Sequence, residues 1–440
     1  MRIAYITAGA AGMYCGSCLH DNTLVAALIK QGHDALLIPT YTPTRTDEED
    51  VSLKRVFFGG INVYLQQKNA LFRHTPWTLD RLLDARWLLR WVSRFAVKTE
   101  AQQLGELTVS MLKGEHGNQS KEAAKLARWL AAEPRPQIVH LTNVILSGMV
   151  PQIKRELSVP ILGELQGDDI FLEALPEPYR KQAIGLISEH CREFDGFVAT
   201  SRYYADFMAQ YLSIPRERIE VIYPGLNLKG HGGPRPSANG PPFTIGYFAR
   251  ICPEKGLHVL VEAFRILRQT PGAPPARLRV SGWLGENQRP YLNDLRKRLE
   301  GHGLGEFFEH TECPDHASKV RFFQSLDMLS VPTVYREPKG LYVLEALANG
   351  VPVVQPRHGS FPELIEGIGG GLLVNPDDPA DLARGLLEVM KQPARYRDVA
   401  QQAKQVIFDR FNADTMARQT IGVYNSYVNR AARIQAAGNG

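Results

Sequence analysis

The chain contains no uninterrupted apolar run of the roughly 18 residues that a membrane-spanning helix needs, so no such helix is expected. Cysteine is scarce: five in 440 residues, an odd number and scattered apart from Cys15 and Cys18. That fits a reducing cytoplasm better than a disulfide framework. Charge of one sign is not concentrated either. Lys and Arg total 51 against 46 Asp and Glu, a net +5, too mild and dispersed for a dedicated nucleic-acid binder. It leaves a weak pull toward anionic ligands or an anionic membrane surface. Behind Met1-Arg2-Ile3 the chain enters an apolar strand at once, with no h-region or cleavage site, so no signal peptide is expected.

What is present suits globular cores. Hydrophobic residues make up 44% and charged residues 22%, and the length fits two domains of about 200 residues each. Short β-branched runs recur at Ile3–Thr7, Asp34–Pro39, Ile138–Leu141, Pro160–Glu164, Gly196–Thr200 and Ile219–Tyr223. Most gaps have room for a helix; Thr23–Gln31, closed by Gly32, reads as one. This is the pattern of a parallel, doubly wound sheet. Gly- and Pro-rich residues 229–242 break it and read as an interdomain linker. The alternation restarts at Phe243–Ala249 and continues through Leu278–Gly282, Glu306–Glu309, Met328–Val331, Val351–Gln355 and Gly371–Val374. The expected organisation is therefore an N-terminal domain over 1–228 with a helical insertion at about 75–130, and a second over 243–415. A C-terminal helix over 416–440 is expected to pack back toward the first. Within the insertion, Trp77–Leu112 reads as helical and sets Arg81, Arg86, Arg90 and Arg94 along one stripe. That stripe is either a solvated basic face or a contact with acceptor or membrane surface.

Two segments carry the chemistry. In Glu337-Pro338-Lys339-Gly340-Leu341-Tyr342-Val343-Leu344-Glu345, a loop follows a strand and a helix begins near Gly340. The carboxyl ends of strands face the ligand crevice in an open parallel sheet, and a helix start offers N–H groups and a positive dipole end to a diphosphate. Gly340 lets the backbone approach closely. Glu345 lies about one and a half turns on, within reach of a ribose hydroxyl, while Glu337 sits ahead of the helix, where it could face a sugar. The second segment, Gly246-Tyr247-Phe248-Ala249-Arg250-Ile251-Cys252-Pro253-Glu254-Lys255-Gly256, places a guanidinium fork and a compact ammonium in one strand-end loop. Together they can neutralise a diphosphate leaving group.

These segments resemble glycosyltransferase family 4: its Glu-x7-Glu signature at Glu337 and Glu345, and its Arg-x4-Lys phosphate clamp at Arg250 and Lys255. The resemblance extends over nearly the whole chain; Glu220-Val221-Ile222-Tyr223-Pro224-Gly225-Leu226-Asn227 looks like the family's close of its first domain. It implies an α/β GT-B fold, two Rossmann-like doubly wound domains facing across a cleft, and a retaining hexosyltransferase-like enzyme. In that reading Arg250 and Lys255 hold the diphosphate and Glu337 contacts the sugar near the reacting centre. Glu345 binds ribose, and Lys339, Gly340, Leu341 and Tyr342 complete the donor contacts. Cys313 would meet the base through its backbone. The donor would be a UDP-, GDP- or ADP-sugar and the acceptor a glycan, lipid or small molecule. No separate cofactor and no metal are expected, because no Asp-x-Asp stands in a suitable strand-end loop and two cations are available instead.

Departures from the family pattern matter. Lys339 stands where the family commonly has an apolar residue. The loop Ala8–Cys18 lacks a plain Gly-Gly pair, though Gly12 and Gly16 still let a backbone approach phosphate or acceptor. His140 ends a strand without the second His of a His-x-His pattern, since Thr142 stands there. Gln166 occupies a position where the family often has His; it can hydrogen-bond a sugar but not titrate. His20 and Asp21 can cap the next helix or touch an acceptor. Cys15 and Cys18 form a C-x-x-C without the two further ligands a zinc site would need, so structural or substrate-loop thiols come ahead of a redox pair, and a metal site comes last. The expected location is cytoplasmic, extending to the inner membrane face. Rival readings are a nucleotide-sugar epimerase or phosphorylase of the same architecture, a nucleotide-sugar sensor without transfer, and a thiol oxidoreductase.

Overall fold

The structure is a computed structural model that describes residues 1–9, 16–58, 101–234 and 242–438. The chain forms two compact units, Met1–Tyr223 with Met416–Gly440, and Pro224–Thr415.

The first unit holds a six-stranded sheet of β1 (Arg2–Thr7), β2 (Asp34–Pro39), β3 (Ile138–Leu141), β4 (Ile161–Leu165), β5 (Gly196–Ala199) and β6 (Ile219–Val221). Its order is β2-β1-β3-β4-β5-β6 and every pair is parallel. All residues of β3, β4 and β5 are buried, as strands covered on both faces require. The helices are α1 (Gly16–Lys30), α2 (Ala101–Leu112), α3 (Ser120–Ala132), α4 (Val150–Glu156), α5 (Asp168–Glu173), α6 (Tyr179–His190) and α7 (Arg202–Tyr211).

The second unit repeats the architecture with β7 (Phe243–Phe248), β8 (Ala276–Ser281), β9 (Phe308–His310), β10 (Met328–Leu329), β11 (Val353–Pro356) and β12 (Gly371–Val374). The order is β12-β11-β10-β7-β8-β9, again all parallel. Helices α8 (Leu257–Gln269), α9 (Arg289–Gly301), α10 (His316–Gln324), α11 (Leu341–Ala348), α12 (Phe361–Ile368), α13 (Pro379–Lys391) and α14 (Pro393–Arg410) connect the strands and follow the last. A last helix, α15 (Ala413–Gly438), belongs from Met416 onward to the first unit.

All twelve expected strands are present, so the doubly wound α/β reading holds for both units. Strand order reverses at β1/β3 in the first sheet and at β7/β10 in the second. Ligand crevices open at such reversals, outside the carboxyl ends of the strands.

Three expectations differ in detail or fall outside the described residues. Helix α1 begins at Gly16, not near Thr23, so His20 and Asp21 lie inside the helix rather than capping it. The turn lacks apolar periodicity because its buried side chains are polar and paired with one another, as described below. The link expected at 229–242 is partly docked. The chain passes between units at Tyr223/Pro224, and Gly232 already lies on the second, its N–H 3.2 Å from Asn349 Oδ1 and its carbonyl 2.7 Å from Lys404 Nζ. Gly12, Cys15 and the arginine stripe of Trp77–Leu112 lie outside the described residues, as does the insertion up to residue 100. Among the described residues no helix is long and apolar enough to cross a membrane.

Candidate functional site

The second unit's candidate site is built at its strand reversal. The loop after β7 carries Arg250 and Lys255, and the loop after β10 carries Tyr335 and Glu337. Lys255 Nζ stands 2.7 Å from Glu337 Oε2, with both side chains largely buried. The ammonium also meets the Tyr335 hydroxyl, and lies 4.9 Å from the ring centre of Tyr335 and 5.2 Å from that of Tyr342. The hydroxyls of Tyr335 and Tyr342 donate to Glu337 Oε2 at 2.9 and 3.0 Å. The other oxygen, Oε1, faces the backbone N–H groups of Lys339 at 3.4 Å and Gly340 at 3.3 Å, just ahead of α11. Burial works against the charge of Glu337, yet the Lys255 ammonium, the Tyr335 hydroxyl and the Gly340 N–H hold its carboxyl down at about 2. Burial and the Glu337 charge push the Tyr335 phenol well up, with the Arg250 charge opposing them.

Two glycines make this geometry reachable. Gly340 takes φ +67° as the N-cap of α11. Gly256 takes φ +70° directly after Lys255, and a Cβ there would sit 1.7 Å from the Pro332 carbonyl oxygen. The two loops therefore touch backbone to backbone, reinforced by Val334 N–H donating to Glu254 O at 3.1 Å.

Along α11, Glu345 is buried and ion-paired with Lys319 of α10, Nζ to Oε1 2.8 Å. One turn further, Asn349 Nδ2 meets the Glu345 carbonyl at 2.9 Å and His231 Nδ1 at 2.8 Å. Burial, then the charges of Lys319 and His316, push His231 down to about 3. Of the other expected donor residues, Lys339 and Tyr342 are buried, Leu341 is half-buried, and Arg250 is half-buried beyond the end of β7. Cys313 is half-buried on the loop before α10, where burial pushes its thiol up. The sequence reading did not single out Lys319 or Tyr335. Lys319 had a signal: it falls four residues before Phe323, on the apolar face of a short helix.

The first unit holds a second polar cluster at its own strand reversal. Tyr5 and Thr7 come from β1, His140 and Thr142 from β3 and the residue after it, Glu164 and Gln166 likewise from β4, and His20 and Asp21 from α1. All eight are at most 5% exposed. Asp21 accepts from Thr7 Oγ1 at 2.8 Å, Thr142 Oγ1 at 2.6 Å and Gln166 Nε2 at 3.1 Å. Gln166 Nε2 also reaches Thr142 O and Oγ1, each at 2.8 Å. Glu164 Oε1 is 2.7 Å from His20 Nε2. The Tyr5 hydroxyl lies between the carboxylates, in short contact with Glu164 Oε2 and 3.1 Å from Asp21 Oδ1. It has one proton to give, so if Glu164 takes it, the Asp21 contact needs a proton on Asp21. Burial and the Glu164 charge raise Asp21 to about 6, in keeping with that count. Glu164 goes the other way: burial opposes its charge, but His20 and His140 outweigh it. His20, Asp21 and Glu164 offer ligand atoms within 4.8 Å of one another, the spacing of a metal site. The hydrogen bonds just described already engage His20 Nε2 and the Asp21 oxygens.

His140 and Gln166, expected on the acceptor side, are thus turned into this cluster. His140 Nδ1 meets the Tyr424 hydroxyl of α15 at 2.5 Å, and burial pushes the imidazole down to about 4. Gly16, the other expected loop residue, is exposed at the start of α1. Cys18 is buried inside α1, and Cys191, Cys252 and Cys313 form no disulfide among the described residues.

Residues 234–406 match the family described as glycosyl transferases group 1, and residues 107–229 match Glycosyltransferase Family 4. An uncharacterized glycosyltransferase of Methanocaldococcus jannaschii is 24% identical over 238 residues, which cover 52% of this chain and 59% of that protein. Glycogen synthase of Mycobacterium tuberculosis is 25% identical over 294 residues, 66% of this chain and 69% of the enzyme. The first of these relatives is thus matched over less than two thirds of its length. Among solved structures, sucrose-phosphate synthase of Thermosynechococcus elongatus superposes with TM-score 0.70 at 18% identity, covering 96% of this chain and 98% of that one. HepE of Anabaena in complex with UDP-glucose superposes with TM-score 0.66 at 18% identity, covering 96% and 99%. Two parallel α/β units with these neighbours define a GT-B fold. Over these two matched segments the chain belongs to the glycosyltransferases of family 4 and group 1.

Proposed function

We propose that the chain transfers a glycosyl group from a nucleoside-diphosphate sugar, held on the second unit, to a glycan, lipid or small-molecule acceptor, with retention of configuration and without a metal ion. The observation that carries this reading is the Lys255–Glu337 pair at the β7/β10 reversal, 2.7 Å apart beside the start of α11. In this reading Arg250 and Lys255, with the positive end of α11, stabilise charge growing on a departing diphosphate, where fixed donors act most strongly. Glu337 faces the sugar and Glu345 the ribose. The related HepE was solved with UDP-glucose, which supports a nucleotide-sugar donor. Front-face attack suits the site: the acceptor oxygen bonds to the anomeric carbon as the bond to the diphosphate breaks, and the acceptor proton leaves with the diphosphate. The enzyme works in the cytoplasm, with peripheral contact at the inner membrane face when the acceptor is a lipid.

Thermal-shift measurement against UDP-, GDP- and ADP-sugars tests the donor. A ligand at a hundred times its Kd stabilises by about 2.7 kcal/mol. Transfer assays with the binding sugar, with and without chelator, then read the anomeric configuration of the product. A shift without transfer to any acceptor would instead indicate a sensor, and conversion of the donor without acceptor an epimerase.

A further inference from the structure

We infer that Lys319 is a positioning residue for the nucleotide's ribose, acting through Glu345; this rests on the donor-site reading above.

Lys319 is an unusual residue for its place. It lies in the first turn and a half of α10, a nine-residue helix whose buried side also carries Val320, Phe322 and Phe323. It is 3% exposed, although lysine heads normally reach water. Taking an ammonium out of water costs several kcal/mol unless a close counter-charge repays it. That counter-charge is Glu345 Oε1 at 2.8 Å, itself on a residue 5% exposed. An apolar residue would pack α10 as well and leave nothing to neutralise. The pair is thus a poor way to gain stability and a good way to fix one carboxylate. Glu345 sits mid-helix in α11, all of whose side chains beyond Leu341 are buried, and its own backbone carbonyl is held by Asn349, in turn bonded to His231. Backbone and side chain of Glu345 are therefore each tied to a separate partner.

A carboxylate recognises a ribose through the directions of its lone pairs, and an unheld glutamate has three side-chain torsions to order on binding. Lys319 removes that disorder before the nucleotide arrives. Its effect must then appear as discrimination between ribose and deoxyribose, rather than as a general loss of binding. Diphosphate contacts assigned to Arg250 and Lys255 do not depend on it.

The experiment measures Kd, by calorimetry on the full chain, for whichever of UDP, GDP or ADP binds, and for its 2′- and 3′-deoxy forms. Wild type should prefer the ribose form over at least one deoxy form. Lys319→Met should weaken the ribose form by roughly ten- to a hundredfold, the range of one charge-assisted hydrogen bond, while leaving the deoxy form nearly unchanged. Lys319→Arg should retain part of the preference. The double variant Lys319→Met/Glu345→Gln removes both buried charges and stays measurable if the single variant does not fold. It should bind like Glu345→Gln alone. A wild type that binds ribose and deoxyribose forms equally removes the ribose role of Glu345, and with it this inference. A wild-type preference that survives Lys319→Met, or a double variant much weaker than Glu345→Gln, overturns the role of Lys319 alone.

Discussion

Lys255 and Glu337 are 82 residues apart in sequence and 2.7 Å apart in space, Nζ to Oε2. The separation is bridged because the two residues follow β7 and β10, which are adjacent at the point where the strand order reverses. The ammonium satisfies one buried carboxylate and meets the Tyr335 hydroxyl beside it.

Lys255→Ala should lower kcat/KM by about 10²–10³, the loss typical when one fixed donor to a developing oxyanion is removed. Lys255→Arg should recover only part, since a planar fork does not replace a compact point charge among Tyr335, Tyr342 and Glu337. Steady-state transfer rates with the identified donor decide this; unchanged turnover in Lys255→Ala would remove Lys255 from the mechanism.

The depressed carboxyl of Glu337 also has a stability consequence. A group held at about 2 in the fold against 4.5 ordinarily contributes stability above about pH 4.5 and loses it as pH falls toward 2. The gap in unfolding midpoint between wild type and Glu337→Gln should therefore be widest above about pH 4.5 and close on acidification. Thermal melts of both proteins across that range check it; a gap that widens in acid would contradict the pairing.

Asp21 carries the opposite sign. Its carboxyl is raised from 3.8 to about 6, so its stabilising contribution is complete below about pH 3.8 and lost as pH rises through 6. Asp21→Asn mimics the protonated form. It should gain on wild type between about pH 4 and 6 and level off above, in melts followed by circular dichroism. Asp21→Ala should be worse at every pH, because Thr7, Thr142 and Gln166 lose their common partner.

Gly256→Ala should be costly out of proportion to one methyl group. The residue holds φ +70°, and the added carbon would meet the Pro332 oxygen at 1.7 Å. A strained backbone of this kind costs about 1–3 kcal/mol before the clash is counted. Relief requires the two loops to part, which carries Lys255 away from Glu337. Stability and donor affinity should fall together; a stable variant with wild-type affinity would show that the loops tolerate separation.

The alternation of β-branched runs made the fold legible, because strands buried on both faces are written as apolar runs. Glu337, Glu345, Arg250 and Lys255 stood out as short strand-end segments, and the resemblance to glycosyltransferase family 4 supplied the roles expected of them. Lys319 carried only its place four residues before Phe323 on a short helix, where a lysine normally marks the wet side, and only the fold sets Glu345 against it. The first-unit cluster was hidden for a similar reason. His20 and Asp21 read as capping or acceptor residues, and Glu164 only as the end of a strand, until Tyr5, Thr142 and Gln166 are brought from three separate strands to satisfy them. His140 and Gln166 stood out in the sequence as acceptor-side residues; the fold adds that His140 bonds the Tyr424 hydroxyl and Gln166 bonds Asp21 and Thr142.

The strand that delivers Glu337 is the thinnest seam of its sheet. β10 is two residues long, paired at two register positions with β7 and at one with β11. The backbone ladder alone is a weak clasp there. The Lys255–Glu337 and Tyr335 contacts between the two loops therefore act as a rivet across that seam, so that loosening either loop unseats the strand beneath it.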